Sequence, residues 1–306
     1  MITVLAGGTG SVKLVRGLAS VSKEITAVCN VGDNIWLYGL YVCPDIDTIT
    51  YGLAGLLDQK RGWGIRGDTF SFIRQMEAMG QPAWFALGDR DLATHVYRTE
   101  MLRRKKSLTE ITGAITEMLG VGQKILPATD DEVETVISTP KGAMHLQEFW
   151  VKNGARPAVT GVTFRGADSA RPTRQVVDAI RNSEKIIMAP ANPVSSIGPM
   201  LAIPGVRREL ERAREKVIAV SPIIGGGPVS GPAAKYMNAL GLEVSPAGVA
   251  RYYKDVAGSL VIARTDSKMA GRIELLGMKV ETTDIMMKGR RGEARLAMYL
   301  AGMARN

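Results

Sequence analysis

Ile2-Thr3-Val4-Leu5-Ala6-Gly7-Gly8-Thr9-Gly10-Ser11-Val12-Lys13 stands at the head of the chain and decides its fold. Residues 2–6 are apolar or β-branched, the composition of a short strand. Three glycines then supply a tight turn. Leu14 and Leu18, with small residues between them, continue as one face of a helix. Residues 24–31 (Glu-Ile-Thr-Ala-Val-Cys-Asn-Val) read as a second strand. Strand, glycine-rich turn, helix, strand is the opening of a doubly wound, Rossmann-like α/β fold with a mostly parallel sheet.

Downstream the character changes. Helical patterns occupy 51–57, 69–79, 92–104 and 108–119, so a helical subdomain is expected as an insertion at about 48–120. Ser107 and Glu110 have the spacing of a capping box, with Ser107 as N-cap. Strand-like runs return at 124–126, 134–138, 158–164, 185–189, 216–220 and 260–263, with helical stretches between them at 173–182 and 231–240. No linker or repeat divides the 306 residues, so a single α/β domain spanning 1–306 is expected.

The chain is 45% hydrophobic and 23% charged, an ordinary globular composition. No apolar run approaches the ~20 residues of a membrane helix. The N-terminal stretch lacks a basic region and a cleavage site and reads as a strand rather than a signal peptide, which leads to a cytoplasmic expectation. Two cysteines and two histidines give neither a disulfide framework nor a zinc signature. Any metal would be a hard, oxygen-bound ion such as Mg²⁺. The net charge is +9, but the basic residues are dispersed and no aromatic residues interleave with them. That favours a solvated surface or an anionic small ligand over nucleic acid.

Several polar clusters fall where an open α/β sheet binds ligands. Gly7, Gly8, Thr9, Gly10 and Lys13 form a turn and helix start suited to phosphate. It is neither a dinucleotide fingerprint, since Val12 stands at the third glycine position, nor a Walker A loop. Asp33 closes the second strand and can hold a magnesium ion or a ribose hydroxyl, or simply make its own turn. Asp45 and Asp47 follow Pro44, with Thr48 read as an N-cap. In extended chain two acids at i and i+2 point opposite ways, so at most one would meet a given ligand atom. Trp63 lies between two glycines and can stack on a planar ring or plug a loop. Asp89-Arg90-Asp91-Leu92-Ala93-Thr94-His95 packs two carboxylates, a guanidinium and an imidazole into two helical turns. Asn192, Ser195 and Ser196 lie after one strand, in a stretch with no helical pattern, and Ser221 lies after another; they suit phosphate and base contacts. His145 reads as a packed, hydrogen-bonded histidine.

Taken together, residues 7–10, 30–33, 43–48, 61–70, 84–95, 126–131, 192–199 and 221–232 resemble the 2-phospho-L-lactate transferase family, which acts in coenzyme F(420) biosynthesis. Asn34 departs from the pattern, since the family often has a second aspartate there. The resemblance implies a transferase that moves a 2-phospholactyl or enolpyruvyl-phosphate group from a guanosine diphosphate donor to the ribityl hydroxyl of Fo, a riboflavin-like deazaflavin, with release of GMP. It implies Asp33, Asp45 and Asp47 as catalytic groups, and Asp33 as the ligand of Mg²⁺. Asp47, Trp63, Asp89, Arg90 and His95 would contact or support Fo. Gly7, Gly8, Thr9, Gly10, Lys13, Asn192, Ser195, Ser196 and Ser221 would bind the nucleotide. The expected partners are these small molecules, with no nucleic acid and no membrane, and a homodimer left open. A non-catalytic nucleotide-sugar-binding regulator and an NAD(P)-dependent oxidoreductase are the alternatives.

Overall fold

The computed structural model describes residues 1–303, so only the last three residues of the expected 1–306 domain lie outside the described residues. Seven strands make the central sheet: β1 (Ile2–Ala6), β2 (Ile25–Cys29), β3 (Lys124–Pro127), β4 (Lys185–Met188), β5 (Val217–Val220), β6 (Ser259–Ala263) and β7 (Lys279–Thr283). Their order is β3-β2-β1-β4-β5-β6-β7, and every neighbouring pair is parallel. The chain therefore winds outward from β1 through β2 to β3, then returns to the other side of β1 and winds the opposite way. The doubly wound reading of the first 31 residues holds for the whole sheet.

The inner strands β1, β2, β5 and β6 are buried along their whole length, as a sheet covered on both faces requires. Helix α1 (Gly8–Val21) packs on the sheet through Val12, Leu14, Val15 and Leu18. It is also tied to the C-terminal helix Gly289–Gly302 by a buried ion pair from Arg16 to Glu293.

The connection from β2 to β3 is rich in helix. It holds α2 (Pro44–Leu53), α3 (Ser71–Ala78), α4 (Asp91–Arg103) and α5 (Leu108–Met118). The capping box at the start of α5 is present as predicted: Glu110 N donates to Ser107 Oγ, and Ser107 N donates to the Glu110 carboxylate. Helix α2 differs from expectation. It starts at Pro44, not after Thr48, because proline at the first helical position already has the right φ and lacks a hydrogen that would need a partner.

Two further differences concern small sheets. A hairpin pairs Ile35–Leu37 with Leu40–Val42 around Tyr38 and Gly39, both at positive φ. The strand patterns near 134–138 and 158–164 do not join the central sheet. Glu134–Thr139 pairs antiparallel with Gly142–His145 and Gly161–Arg165 in a sheet of its own. No helix among the described residues is long and apolar enough to cross a membrane.

Candidate active site

Winding direction reverses between β1 and β4, and ligands of open α/β sheets bind outside the carboxyl ends of strands at such a point. Gly7 follows β1 directly. On the other side of the reversal, the chain after β4 enters a π-helical turn at Pro193–Ile197, capped by Asn192, whose side-chain oxygen accepts from Val194 N and Ser195 N. That segment was expected to lack helical structure. Proline at the first position and asparagine before it start a helix without needing an apolar period. It seats Ser195 and Ser196 against the glycine-rich turn: a Cβ on Gly7 would lie 2.8 Å from Ser196 O, and one on Gly8 would lie 3.1 Å from Ser196 Oγ.

Asp45 ties these pieces together. Gly8 N donates to Asp45 Oδ1 at 2.7 Å, and Asn30 Nδ2 donates to Asp45 Oδ2 at 2.9 Å. Asn30 also reaches Ser195 O at 3.4 Å, and its side-chain oxygen accepts from Gly32 N. The first turn of α2, the end of β2, the glycine-rich turn and the Ser195–Ser196 turn thus meet at one carboxylate. Burial pushes Asp45 up from the ordinary carboxylate range, and its bonds to Asn30 and Gly8 pull it back.

Asp33 lies beside this knot and is less well satisfied. Its Oδ1 is buried without a hydrogen-bond partner. Burial first, and the Asp45 charge second, hold its carboxyl well above the usual range against an opposing bond from Asn30. Its backbone is gripped from outside the main sheet: Gln147 Nε2 donates to Asp33 O, and His145 Nε2 lies 3.1 Å from Asn34 O. His145 Nδ1 accepts from Gln147 N, so its other nitrogen carries the hydrogen toward Asn34. It is the packed histidine that was expected.

Asp47 faces away from Asp45, because residues two positions apart on a helix are separated by about 200° around its axis. The expected divergence of the two acids therefore holds, with helical rather than extended geometry as its cause. Both Asp47 oxygens are engaged by Arg98: Nη1 donates to Oδ2 at 3.1 Å, and Nη2 donates to Oδ1. Arg98 is 0% exposed and also donates to Tyr41 O. Burial raises the Asp47 pKa and the guanidinium opposes that rise. His95 completes the inner layer. Its Nδ1 lies 3.3 Å from Arg98 Nη1, and its Nε2 lies 3.4 Å from Asp91 Oδ1. Tyr51 OH donates to Asp91 at 2.7 Å. Nothing in the sequence pattern singled out Arg98, a single arginine within an ordinary helix.

The other expected ligand residues separate into two groups. Asp89 is occupied at the start of α3, where it accepts from Thr69 Oγ1, Ser71 N and Phe72 N. Those bonds, Thr69's foremost, hold its pKa down at about 2. Ser221 closes its own turn with Ile223. Arg90 and Lys13 present exposed side chains. Trp63 is 38% exposed, with the Arg61 guanidinium 5.1 Å from its ring centre. Its loop touches the glycine-rich turn, since a Cβ on Gly62 would lie 3.3 Å from the Thr9 methyl. Trp36, half exposed and packed at a tilt against Tyr41 with ring centres 4.9 Å apart, is an aromatic group that the sequence reading did not single out.

Among the described residues no three histidine, cysteine, aspartate or glutamate side chains converge as a metal cage. The donor set fits an ion that brings its other ligands along. Magnesium is commonly held by one or two carboxylates together with substrate phosphates and water, and Asp33 offers one buried carboxylate oxygen without a partner.

Fold and site together define a doubly wound α/β protein with a glycine-and-carboxylate crevice at its switch point. Residues 2–285 match the family 2-phospho-L-lactate transferase CofD. The 2-phospho-L-lactate transferase of Methanosarcina acetivorans is 40% identical over 302 residues, covering 98% of each chain. The phosphoenolpyruvate transferase of Nocardia farcinica is also 40% identical, over 92% of this chain and 90% of its own. A crystal structure of a Bacillus halodurans protein superposes with a TM-score of 0.65 over 98% of both chains; at 15% identity it shares the fold alone. The chain belongs to the 2-phospho-L-lactate transferase CofD family. It is therefore a transferase, not a regulator without turnover or an oxidoreductase.

Proposed function

We propose that this enzyme transfers a 2-phospholactyl or enolpyruvyl-phosphate group from a guanosine diphosphate ester to Fo in coenzyme F(420) biosynthesis. The terminal ribityl hydroxyl attacks the phosphorus bearing the lactyl or enolpyruvyl group. The bond from that phosphorus to the GMP oxygen breaks and GMP leaves. The hydroxyl proton passes to a carboxylate, and the product carries a new phosphodiester. The setting is cytoplasmic and the partners are small molecules, without nucleic acid or membrane; a homodimer is compatible with the reading.

The observation that carries this reading is the buried, partnerless oxygen of Asp33 beside the Asp45 knot. Phosphoryl transfer requires alignment and charge neutralisation more than covalent chemistry from the protein. Gly7–Gly10 and the Asn192, Ser195 and Ser196 turn would take the diphosphate, with Lys13 and Ser221 further out. Asp33 would hold magnesium, which when bound neutralises charge on the phosphates. Fo would lie toward the helical insertion, where Arg90 and Trp63 have exposed side chains. Asp47, Asp89 and His95 would support that side from behind. The two 40% relatives carry different donor names, so the donor is a matter for direct assay.

The test is GMP release from purified protein with Fo, Mg²⁺ and each donor in turn. Release of one GMP per phosphodiester formed is expected with at least one donor. Absence of GMP with both donors would remove the reading.

A second test concerns the turn. Gly8 has a φ of +70°, and a side chain there would meet Ser196. Gly8→Val is expected to weaken GDP binding at least ~10-fold, about 1.4 kcal/mol, while Fo binding is retained. Titration calorimetry with GDP checks it. Unchanged affinity in the folded variant would move the nucleotide away from this turn.

A further inference from the structure

Arg61 lies in the loop from Asp58 to Ile65 that carries Trp63. The loop closes through its own backbone. Leu57 pairs with Ile65 and both are buried. Asp58 N donates to Gly64 O at 3.0 Å, and Gly62 N donates to Asp58 O at 2.8 Å. Gly62 and Gly64, on either side of Trp63, have φ of +80° and +67°, a region that favours glycine. Asp58 Oδ1 accepts from Lys60 N and Arg61 N. The path of the chain is thus set before the Arg61 side chain is counted.

That side chain holds a ring instead. Its guanidinium carbon lies 5.1 Å from the centre of the Trp63 ring and 4.9 Å from that of Phe70, within reach of cation–π attraction to both. The two rings meet near edge-to-face, with centres 6.3 Å apart. Nη2 is anchored by Ile65 O at 2.9 Å and Asp58 Oδ2 at 3.1 Å. Nε is buried and has no hydrogen-bond partner. Leaving a donor of a charged group unpaired costs stability, and the loop closes without it. What the arrangement fixes is the direction of one indole. Trp63 is still 38% exposed. Its neighbour Gly62 lies against the glycine-rich turn, where a Cβ would come 3.3 Å from the Thr9 methyl. A large exposed ring held still beside that turn is a platform for a planar ligand. A ring left free would have to be ordered by the ligand itself, which weakens binding.

We infer that Arg61 is a positioning residue for acceptor binding: its guanidinium, anchored by Asp58 and Ile65, fixes the Trp63 ring so that the flat ring system of the acceptor stacks on it. This rests on the proposed acceptor being the deazaflavin Fo. Arg61 acts through Trp63 and does not itself touch the acceptor.

Arg61→Gln, Trp63→Leu and the double variant test it. An absorbance titration of Fo, calorimetry with GDP and the melting temperature are measured on each. Trp63→Leu removes the platform and should weaken Fo binding about 10- to 100-fold, the scale of one aromatic stacking contact. Arg61→Gln frees the ring and should weaken it about 3- to 10-fold, the scale of ordering one side chain on binding. In the Trp63→Leu background, Arg61→Gln should change Fo affinity by less than about 2-fold, because the ring it acts through is gone. GDP affinity should stay within about 2-fold of wild type in Arg61→Gln, since its effect is confined to the indole. Arg61→Lys keeps a cation near the rings but not the forked anchor, and should fall between wild type and Arg61→Gln. If Arg61→Gln does not fold, Arg61→Lys takes its place in the same cycle. Equal losses of Fo affinity with and without Trp63 would overturn the inference, as would unchanged Fo affinity in either single variant. A loss of GDP affinity as large as that for Fo would show general loosening of the loop and overturn it too. So would a lowered melting temperature with normal Fo affinity, the sign of a purely structural arginine. Wild-type protein that binds no Fo would instead strike at the proposed function itself, which separates the two failures.

Discussion

Arg98→Met is expected to destabilise the protein by about 3–5 kcal/mol, the range for removing one member of a buried ion pair. Arg98 is wholly buried, and its guanidinium is the bidentate partner of Asp47. Methionine fills much of the volume but leaves the Asp47 carboxylate enclosed with no cation. Tyr41 O and His95 Nδ1 lose a neighbour at the same time. Thermal unfolding should show a fall of roughly 5–10 °C in melting temperature. Arg98→Lys should recover only part of this, because a point ammonium cannot repeat the forked contact. The double variant Asp47→Asn with Arg98→Met should be more stable than Arg98→Met alone, since it removes the stranded charge. If the double variant loses the sum of the two single effects, the two residues act independently and Asp47 is open to a ligand after all.

That pair marks where the reading of the sequence stopped. The central sheet was legible because its information is local. Residues 2–6 and 24–31 announce themselves by composition, and Gly7–Gly10 by conformational need. The capping box at Ser107 and Glu110 was legible for the same reason, lying within four residues. Asp45 and Asp47 stood out as charges after Pro44. Their partners did not, because Gly8 and Arg98 are 37 and 51 residues away. No spacing rule reaches across a fold. The start of α2 was set too late, since the apolar pattern after Thr48 outweighed the proline that begins the helix. The turn at 193–197 was missed because capping by Asn192 and Pro193 replaces periodicity as its cause. The strand runs at 134–138 and 158–164 were legible, but their pairing in a separate antiparallel sheet beside Asp33 was not, as strand pattern alone carries no pairing partner. Asp89 looked like a ligand contact in the sequence, whereas in the fold its oxygens serve the start of α3. Dense charge in a loop has two meanings, and only the positions of the backbone donors separate them.

Asp33→Asn is expected to lower turnover ~10²-fold or more, the scale of a lost general base, while leaving stability unchanged or raised. Both roles open to Asp33, holding magnesium or taking the hydroxyl proton, require a negative oxygen that asparagine lacks. They part on metal dependence. If Asp33 holds the ion, raising Mg²⁺ should recover part of the turnover, because substrate phosphates still bind it. If Asp33 takes the proton, the loss should be the same at every Mg²⁺ concentration. The stability arm rests on burial. Asp33 is 8% exposed, one of its oxygens has no partner, and Asp45 lies near enough to raise its pKa. An ionised carboxylate there costs stability, and a neutral amide of the same shape removes that cost. Asp45→Asn makes the same change in charge at a carboxylate whose two oxygens accept from Gly8 N and Asn30 Nδ2. It should destabilise, because an amide nitrogen turned toward either donor leaves that donor unpaired. Thermal unfolding of both variants without substrate or metal decides it. Opposite signs are expected for the two acids, and equal destabilisation would mean that Asp33, like Asp45, is a structural anchor.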